Sequence, residues 1–122
     1  MAKTLLVVDD SASIRQVVSM TLKDAGYQVI EARDGVDALD KLNGQKVNLI
    51  ISDVNMPNMD GLTFLEEVKK RPAYKFTPFV LLTTETEQHK RERARAAGAK
   101  AWVVKPFQPQ QMLDAVAKLV LP

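Results

Sequence analysis

Short apolar runs alternate along the chain with segments in which apolar residues recur every three or four positions. The runs cover residues 5–8, 27–32, 49–52, 79–82 and 101–104. A continuous apolar run such as residues 5–8 is typical of a strand that is buried on both faces of a sheet. Helical spacing shows in the segments that follow the runs, as in Ile14, Val17, Val18, Leu22 and Ala25. The pattern therefore predicts five strand–helix pairs.

Turn and capping residues mark the ends of these predicted helices. Glycines that suit a helix C-terminus follow three of the segments: Gly26, Gly44 and Gly98. Residues that suit a helix N-terminus precede three of them: Asp34, Asp60-Gly61 and Pro109. The fourth helix is expected over residues 86–97, where Ala94, Ala96 and Ala97 are the core candidates. A helix with so little apolar area should be easy to shift.

Five strands that alternate with five helices predict an α/β fold with a doubly wound parallel sheet. Right-handed crossovers would place helices on both faces of the sheet. We expect the flavodoxin-like (βα)5 arrangement with strand order 2-1-3-4-5. The chain has 122 residues, of which 46% are hydrophobic and 26% are charged. These values predict a single domain over residues 1–122 that can bury a core.

Composition narrows the classes of function. The chain has no cysteine, which excludes disulfides and thiolate metal sites. No long apolar stretch begins the chain, so we expect no signal peptide, no membrane insertion and a cytoplasmic location. The net charge of +2 is too small to predict direct binding of nucleic acid.

Polar residues with useful chemistry stand at the ends of four predicted strands. Asp9 and Asp10 follow the first strand, Asp53 follows the third, and Thr83 and Lys105 end the fourth and fifth. Parallel strands end at one edge of the sheet, and the first and third strands flank its ligand-binding crevice. Crowded carboxylates repel by ~4 kcal/mol per pair at an effective dielectric near 20, so they need a cation. Oxygen ligands that leave room for water and phosphate favour Mg²⁺.

These residues belong to a longer series of motifs. In chain order they are Asp9-Asp10, Asp53-Val54-Asn55-Met56-Pro57, Met59-Asp60-Gly61, Thr83 and Lys105-Pro106-Phe107. The whole chain thereby resembles the receiver domain of two-component response regulators. Asn55 and Glu85 make it most similar to stand-alone, CheY-like receivers. The Lys105-Pro106 bond is either part of an ordinary turn or a cis bond that aims Lys105 into the crevice.

The resemblance implies a role for each polar residue. Asp53 would accept a phosphoryl group from the phosphohistidine of a sensor histidine kinase, while Lys105 and Thr83 hold the phosphoryl oxygens. The implied ligands of Mg²⁺, for which Mn²⁺ could substitute, are the side chains of Asp10 and Asp53, the backbone carbonyl of Asn55, and Asp9 through a water molecule.

The resemblance also implies a switch. Thr83 would move toward the phosphoryl group and leave space that Trp102 partly fills, where tyrosine or phenylalanine is usual. Asn55 and Glu85 would tune how water reaches the phosphoryl group, with autodephosphorylation in seconds to minutes. Thr84 is larger than is common after the switch threonine, and it either narrows access to the site or faces solvent.

A basic group on the fourth helix is the candidate partner face. Together with Trp102 it consists of Lys90, Arg91, Arg93 and Arg95. The group is either a solvated helix face or a docking face for an acidic partner.

The function implied is that of a single-domain response regulator, expected to be a monomer. Phosphorylation would switch the face built from the fourth helix, fifth strand and fifth helix, and so control a partner such as a flagellar motor switch in chemotaxis or motility. A phosphorelay intermediate that passes the group to a phosphotransfer protein, or a phosphate sink, is the alternative. Such a protein catalyses only its own phosphorylation and dephosphorylation.

A haloacid-dehalogenase-like phosphatase is the enzymatic alternative, but its nucleophile normally lies in an Asp-x-Asp pattern on the first strand. A phosphate-independent adaptor would not need this set of chemical positions.

Overall fold

Five parallel strands form one sheet in the order β2-β1-β3-β4-β5, as predicted. The computed structural model describes residues 2–120, apart from the side chains of residues 85–87. The strands are β1 (Thr4–Val8), β2 (Gln28–Ala32), β3 (Leu49–Asp53), β4 (Phe79–Thr83) and β5 (Ala101–Val104). The helices are α1 (Ala12–Asp24), α2 (Gly35–Leu42), α3 (Gly61–Lys69), α4 (Arg91–Ala96) and α5 (Pro109–Leu119).

The sheet separates two apolar cores because successive side chains of a strand point to opposite faces. On one face, Leu6 and Ile50 pack in a cluster with residues of α2, α3 and α4. On the other face, Leu5 and Ile51 pack in a cluster with residues of α1 and α5. All five residues of β3 and of β4 are buried, including the polar Ser52, Asp53 and Thr83 at their carboxyl ends.

Side chains cap the helices that begin near the carboxyl ends of the strands. The Asp34 carboxylate accepts from the backbone N–H of Asp37 at 2.8 Å and thereby starts α2. In the same way, Asp60 accepts from the N–H of Thr63 at 2.8 Å and starts α3. Each cap satisfies a backbone donor that has no partner within its helix. Both loops from strand to helix are thereby fixed at the edge where the polar residues gather.

The fourth helix differs from the prediction. Residues 85–90 form a 3-10 helix, and the α-helix covers only the six residues of α4. Ala94 is buried as expected and Ala97 is half-buried, but the prediction for Ala96 was wrong because its side chain is exposed. Gln88, His89 and Lys90 offer no apolar side chain that could pack a longer α-helix onto the sheet.

None of the helices in the described part of the chain is long and apolar enough to cross a membrane. A short 3-10 helix, Pro72–Tyr74, was not predicted. It positions the buried Tyr74, whose single O–H lies within hydrogen-bond distance of two carbonyl oxygens, those of Gln45 at 2.8 Å and Leu42 at 3.0 Å. This tie joins the end of α2 to the segment before β4, at the sheet edge opposite the polar residues.

Candidate functional site

Three carboxylates meet where β1 and β3 end. These strands are direct neighbours, and Val8 pairs with Ser52 at the last position of their ladder. One carboxylate oxygen each from Asp9, Asp10 and Asp53 lies within 4.8 Å of the other two. Asp9 is 1% exposed and Asp53 is 7% exposed, whereas Asp10 faces solvent. With Lys105, these residues form what we call the acidic pocket.

Backbone hydrogen bonds fix the two buried carboxylates. The N–H of Asp9 donates to the carbonyl of Ala32 at 3.1 Å, and Oδ1 of Asp9 accepts from the N–H of Ser11 at 2.9 Å. On β3, Oδ1 of Asp53 accepts from the N–H of Val54 at 2.9 Å. Because these donors belong to the sheet and its first loops, the carboxylate positions follow from the fold itself.

Lys105 supplies the positive charge of the pocket. Its Nζ lies 3.1 Å from Oδ1 of Asp53 and 3.5 Å from Oδ2 of Asp9. Its backbone N–H donates to the carbonyl of Thr83 at 2.6 Å, which places the residue just beyond the end of β5. The bond to Pro106 is cis, which decides between the two alternatives that the sequence left open.

One ammonium group does not neutralise three carboxylates. Burial raises the pKa of Asp53 to about 6, and the charge of Asp9 adds to this effect against the opposing effect of Lys105. The pocket therefore favours either a proton on Asp53 or a further cation beside it. A divalent ion with oxygen ligands is the alternative that the donor chemistry favours.

Gly61 allows the loop after β3 to fold back onto the strand. Its N–H donates to the carbonyl of Val54 at 2.7 Å. A Cβ atom at this position would lie 2.1 Å from the carbonyl oxygen of Asp53. Only glycine fits, so the start of α3 and the backbone of the proposed phosphoacceptor are in direct contact.

The other residues predicted for the site lie around this pocket. Thr83 is buried and its hydroxyl donates to the carbonyl of Thr84 at 3.1 Å, while Asn55 is exposed in the loop after β3. Trp102 pairs with Leu81 and Val104 with Thr83, so Thr83 and Trp102 share one face of neighbouring strands. The side chain of Glu85 lies outside the described residues.

Thr84 faces solvent, which is one of the two alternatives that the sequence left open. It lines an apolar groove of about 540 Å³ between α1 and the loop after β5. The groove also contacts Lys105 and includes Val17, whose side chain is 58% exposed. An apolar surface therefore adjoins the acidic pocket.

The predicted partner face is only partly assembled. Trp102 and two of the cations, Arg91 and Arg95, line a common cavity. Arg93 instead pairs with Glu66 of α3 at 2.8 Å, because successive helical residues point in different directions. Lys90 does not line this cavity but precedes α4 as its N-cap residue.

Sequence reasoning missed Arg15. Its Nη1 donates to the carbonyl oxygen of Asp9 at 2.6 Å, and its Nε lies 3.3 Å from Oε1 of Glu31. The guanidinium thus holds the peptide that joins Asp9 to Asp10. The available signal was its position four residues after Ser11, which caps α1, since one helical turn brings a long side chain back to the start of the helix.

The contact between Asp34 and Asn58 was also missed. Nδ2 of Asn58 donates to Oδ2 of Asp34 at 2.8 Å, and the backbone of Asn58 is left-handed with φ of 66°. The backbone N–H of Asp37 and then this amide lower the pKa of Asp34. The contact ties the loop that carries Asn55 to α2. The signal was an asparagine within a Pro-containing loop, since asparagine tolerates the left-handed region.

Comparisons with known proteins agree with this geometry. A family model described as the response regulator receiver domain matches residues 5–117. Chemotaxis protein CheY1 of Helicobacter pylori is 40% identical over 112 residues, which are 90% of each chain. The structure of chemotaxis response regulator CheY4 of Vibrio cholerae is 48% identical, covers 98% of this chain and 100% of its own, and has a TM-score of 0.92.

A more distant structure shares the fold. The receiver domain of a sensor histidine kinase from Pseudomonas aeruginosa PAO1 is 24% identical, covers 98% of both chains and has a TM-score of 0.89. That protein was solved with a magnesium ion coordinated in its active-site cleft. The family match and the close relatives together establish that this chain belongs to the response regulator receiver domain family, as a CheY-like protein of two-component signalling.

Proposed function

We propose that the chain is a conformational switch. Asp53 accepts a phosphoryl group from a sensor histidine kinase, and this modification changes the state of the switch. The observation that carries this proposal is the acidic pocket, in which two further carboxylates and an ammonium surround the Asp53 carboxylate. A nucleophilic carboxylate, a group that neutralises charge and an open approach are the requirements for transfer to an aspartate.

The residues of the pocket fit Mg²⁺. Its donors are oxygens, two of the carboxylates are buried and crowded, and Asp10 opens to solvent where bound water could complete the coordination. We assign the ligands to the side chains of Asp10 and Asp53 and the backbone carbonyl of Asn55, with Asp9 acting through water; Mn²⁺ should substitute. When bound, the ion neutralises charge on the transferred group.

The protein groups divide the work of transfer. We assign the nucleophile to Oδ2 of Asp53, because Oδ1 already accepts from Val54 and contacts Lys105. As the bond from Oδ2 to phosphorus forms, the bond from phosphorus to the histidine nitrogen breaks. Lys105 Nζ, which lies 3.1 Å from Oδ1 of Asp53, would bind a phosphoryl oxygen. The Thr83 hydroxyl donates to a neighbouring carbonyl in this structure. After transfer it would donate to a second phosphoryl oxygen.

The response would follow from the position of Thr83. Its movement toward the phosphoryl group would change the packing of Trp102 on the same sheet face and alter the surface of α4, β5 and α5. Asn55 and Glu85 would set the rate at which water removes the group. The chain would catalyse only these two reactions on itself.

The names of the relatives support a proposal about the partner and the setting. Two of them are named as chemotaxis proteins, so we propose a role in chemotaxis or motility through an effector such as a flagellar motor switch. A phosphorelay intermediate or a phosphate sink is the alternative within the same chemistry. We further propose a cytoplasmic monomer with one domain over residues 1–122.

Intact mass spectrometry with acetyl phosphate and Mg²⁺ tests the proposal. The mass should rise by one phosphoryl group and return within seconds to minutes after the donor is removed. Asp53→Asn should abolish the gain, whereas Asp40→Asn, which changes an exposed aspartate of α2, should not. A gain that survives Asp53→Asn, or one that lasts many hours, would contradict the proposed acceptor or the proposed rate. Steady turnover of p-nitrophenyl phosphate would favour the phosphatase instead.

A further inference from the structure

A cavity of about 100 Å³ lies between α4 and the start of β5. Three cationic side chains line it: Arg91, Arg95 and Lys100. Every charged residue that lines it, within the described part of the chain, is a cation. Ala94 and Trp102 supply apolar wall. We call this site the basic cavity. A water molecule takes up about 30 Å³, so the cavity has the volume of about three waters, which is enough for the three heavy atoms of a carboxylate group.

The positive charge of the basic cavity is poorly compensated. Arg95 pairs with Glu92 at 3.0 Å, but both side chains are more than three-quarters exposed, so water screens the pair. Among the described side chains, which do not include those of residues 85–87, neither Arg91 nor Lys100 has a carboxylate oxygen within 4.0 Å. Burial lowers the pKa of Lys69 and the charge of Lys100 lowers it further, so Lys100 lies near another cation. The site is therefore a concentration of positive charge that attracts an anion.

Trp102 adds an observation of a different kind. Its Nε1 is buried and has no hydrogen-bond partner among the described residues. Buried indole N–H groups usually donate to an acceptor. Because Trp102 lines the basic cavity, an acceptor that enters the cavity would satisfy this donor once the indole turns toward it.

From these features we propose that the basic cavity receives an aspartate or glutamate side chain from an acidic segment of the partner protein. The carboxylate would contact Arg91, Arg95 and Lys100, and the indole would shift so that its N–H donates to the same group. The inference rests on the proposed role of this face in partner binding, but not on phosphorylation of Asp53. Arg93 takes no part because it is held by Glu66 of α3.

The test uses the full chain without Mg²⁺ or a phosphodonor, so its result is independent of the chemistry at Asp53. The probe is a blocked hexaglutamate peptide, with hexaglutamine as its neutral control. Trp102 is the only tryptophan, and its emission reports directly on the cavity. At constant ionic strength, hexaglutamate should change the emission in a saturable way and hexaglutamine should not.

Charge-matched variants locate the binding site. Arg91→Gln and Lys100→Gln should each weaken binding by about two- to fivefold, the range expected for exposed ion pairs. Lys46→Gln removes the same charge from an exposed position before β3 and should leave the binding constant unchanged. Equal losses in all three variants would overturn the proposal in favour of diffuse attraction, and so would an emission that hexaglutamate does not change.

Failure of this test and failure of the proposed function remain distinguishable. A chain that gains a phosphoryl group on Asp53 but shows no response to hexaglutamate would keep its switch chemistry and lose only the acidic partner. A chain that binds hexaglutamate through Arg91 and Lys100 but never gains mass would keep this inference and lose the switch.

Discussion

The acidic pocket draws its carboxylates from the end of β3 and from the two residues that follow β1, whereas much of the basic cavity comes from a six-residue helix. Asp9 and Asp53 are buried, and each accepts from a backbone N–H group. In α4, Ala94 is the one buried residue of the helix, and the arginines that line the cavity are exposed. The two sites lie on one sheet but are held in place by very different numbers of interactions.

This difference separates two requirements of a switch. Transfer of a phosphoryl group needs fixed geometry, which buried strand ends supply because their hydrogen bonds are part of the sheet. Recognition that changes with state needs an element with few stabilising contacts, since such an element rearranges at low cost. Substitutions in each site test whether the two are as separate as this contrast requires.

The largest effect is expected where the acidic pocket has no spare room. Gly61→Ala would place Cβ against the carbonyl of Asp53, so the free energy of unfolding should fall by about 3 kcal/mol. Urea denaturation measures this change. Gly26→Ala is the control, because Gly26 has φ of 99° and open space around it, and it should lose about 1–2 kcal/mol from backbone strain alone. If Gly61→Ala cost no more than this control, the close approach would not matter.

Burial of the Asp53 carboxylate, with the charge of Asp9 beside it, should make stability depend on pH. Folded Asp53 keeps its proton up to about pH 6, while the unfolded chain releases it near the ordinary value of 3.8. The folded state then binds more protons between these values, so stability falls as the pH rises from about 4 to 6 and stays low above that. Measured with a chelator present, Asp53→Asn should stabilise the protein by about 2 kcal/mol at pH 7.5 and by nothing near pH 3.5, after allowance for screening.

Asp40→Asn serves as the control for this pH series because its side chain is exposed on α2. Its stability curve should follow that of the unsubstituted protein across the whole range. A gain from Asp53→Asn that is the same at pH 3.5 and pH 7.5 would show that packing, rather than charge, is the cause.

Arg15 tests how far the fixed geometry extends beyond the pocket. Arg15→Gln removes the donor that holds the carbonyl of Asp9, so the affinity for Mg²⁺ should fall by about tenfold, the lower end for residues that orient metal ligands. Isothermal titration calorimetry measures this affinity directly. Arg33→Gln removes an equal charge from an exposed side chain nearby and should change affinity far less. Equal losses would mean that Arg15 contributes charge and not position.

The same contrast explains what the sequence could predict. Strands buried on both faces give continuous apolar runs, so the order of strands and helices could be predicted from the sequence. The aspartates beside the strand ends could be predicted as a cluster because parallel strands end at one edge of the sheet. The contact from Arg15 to Asp9 has a weaker signature. The place of Arg15 one helical turn after Ser11 brings its side chain back to the start of α1 but does not identify the carbonyl that it meets. The length of α4 was wrong for a related reason: a polar helix has no apolar stripe that fixes its limits.

The smallest predicted effect tests the independence of the two sites. Ala94→Gly should cost α4 about 1 kcal/mol, because glycine is a poor helix former and the only buried side chain of this helix is removed. Hydrogen exchange of the α4 amides should accelerate by about fivefold, and hexaglutamate should bind more weakly by a similar factor. Ala117→Gly, on the exposed side of α5, should leave both unchanged.

In both Ala94→Gly and Ala117→Gly, the affinity for Mg²⁺ and the initial rate of phosphorylation by acetyl phosphate should stay within about twofold of the unsubstituted protein. Neither depends on α4, because no residue of that helix lies in the acidic pocket. A loss of Mg²⁺ affinity in Ala94→Gly as large as that in Arg15→Gln would mean that the recognition surface and the chemical site are one cooperative unit. Recognition would then be coupled to metal binding even before any phosphoryl group arrives.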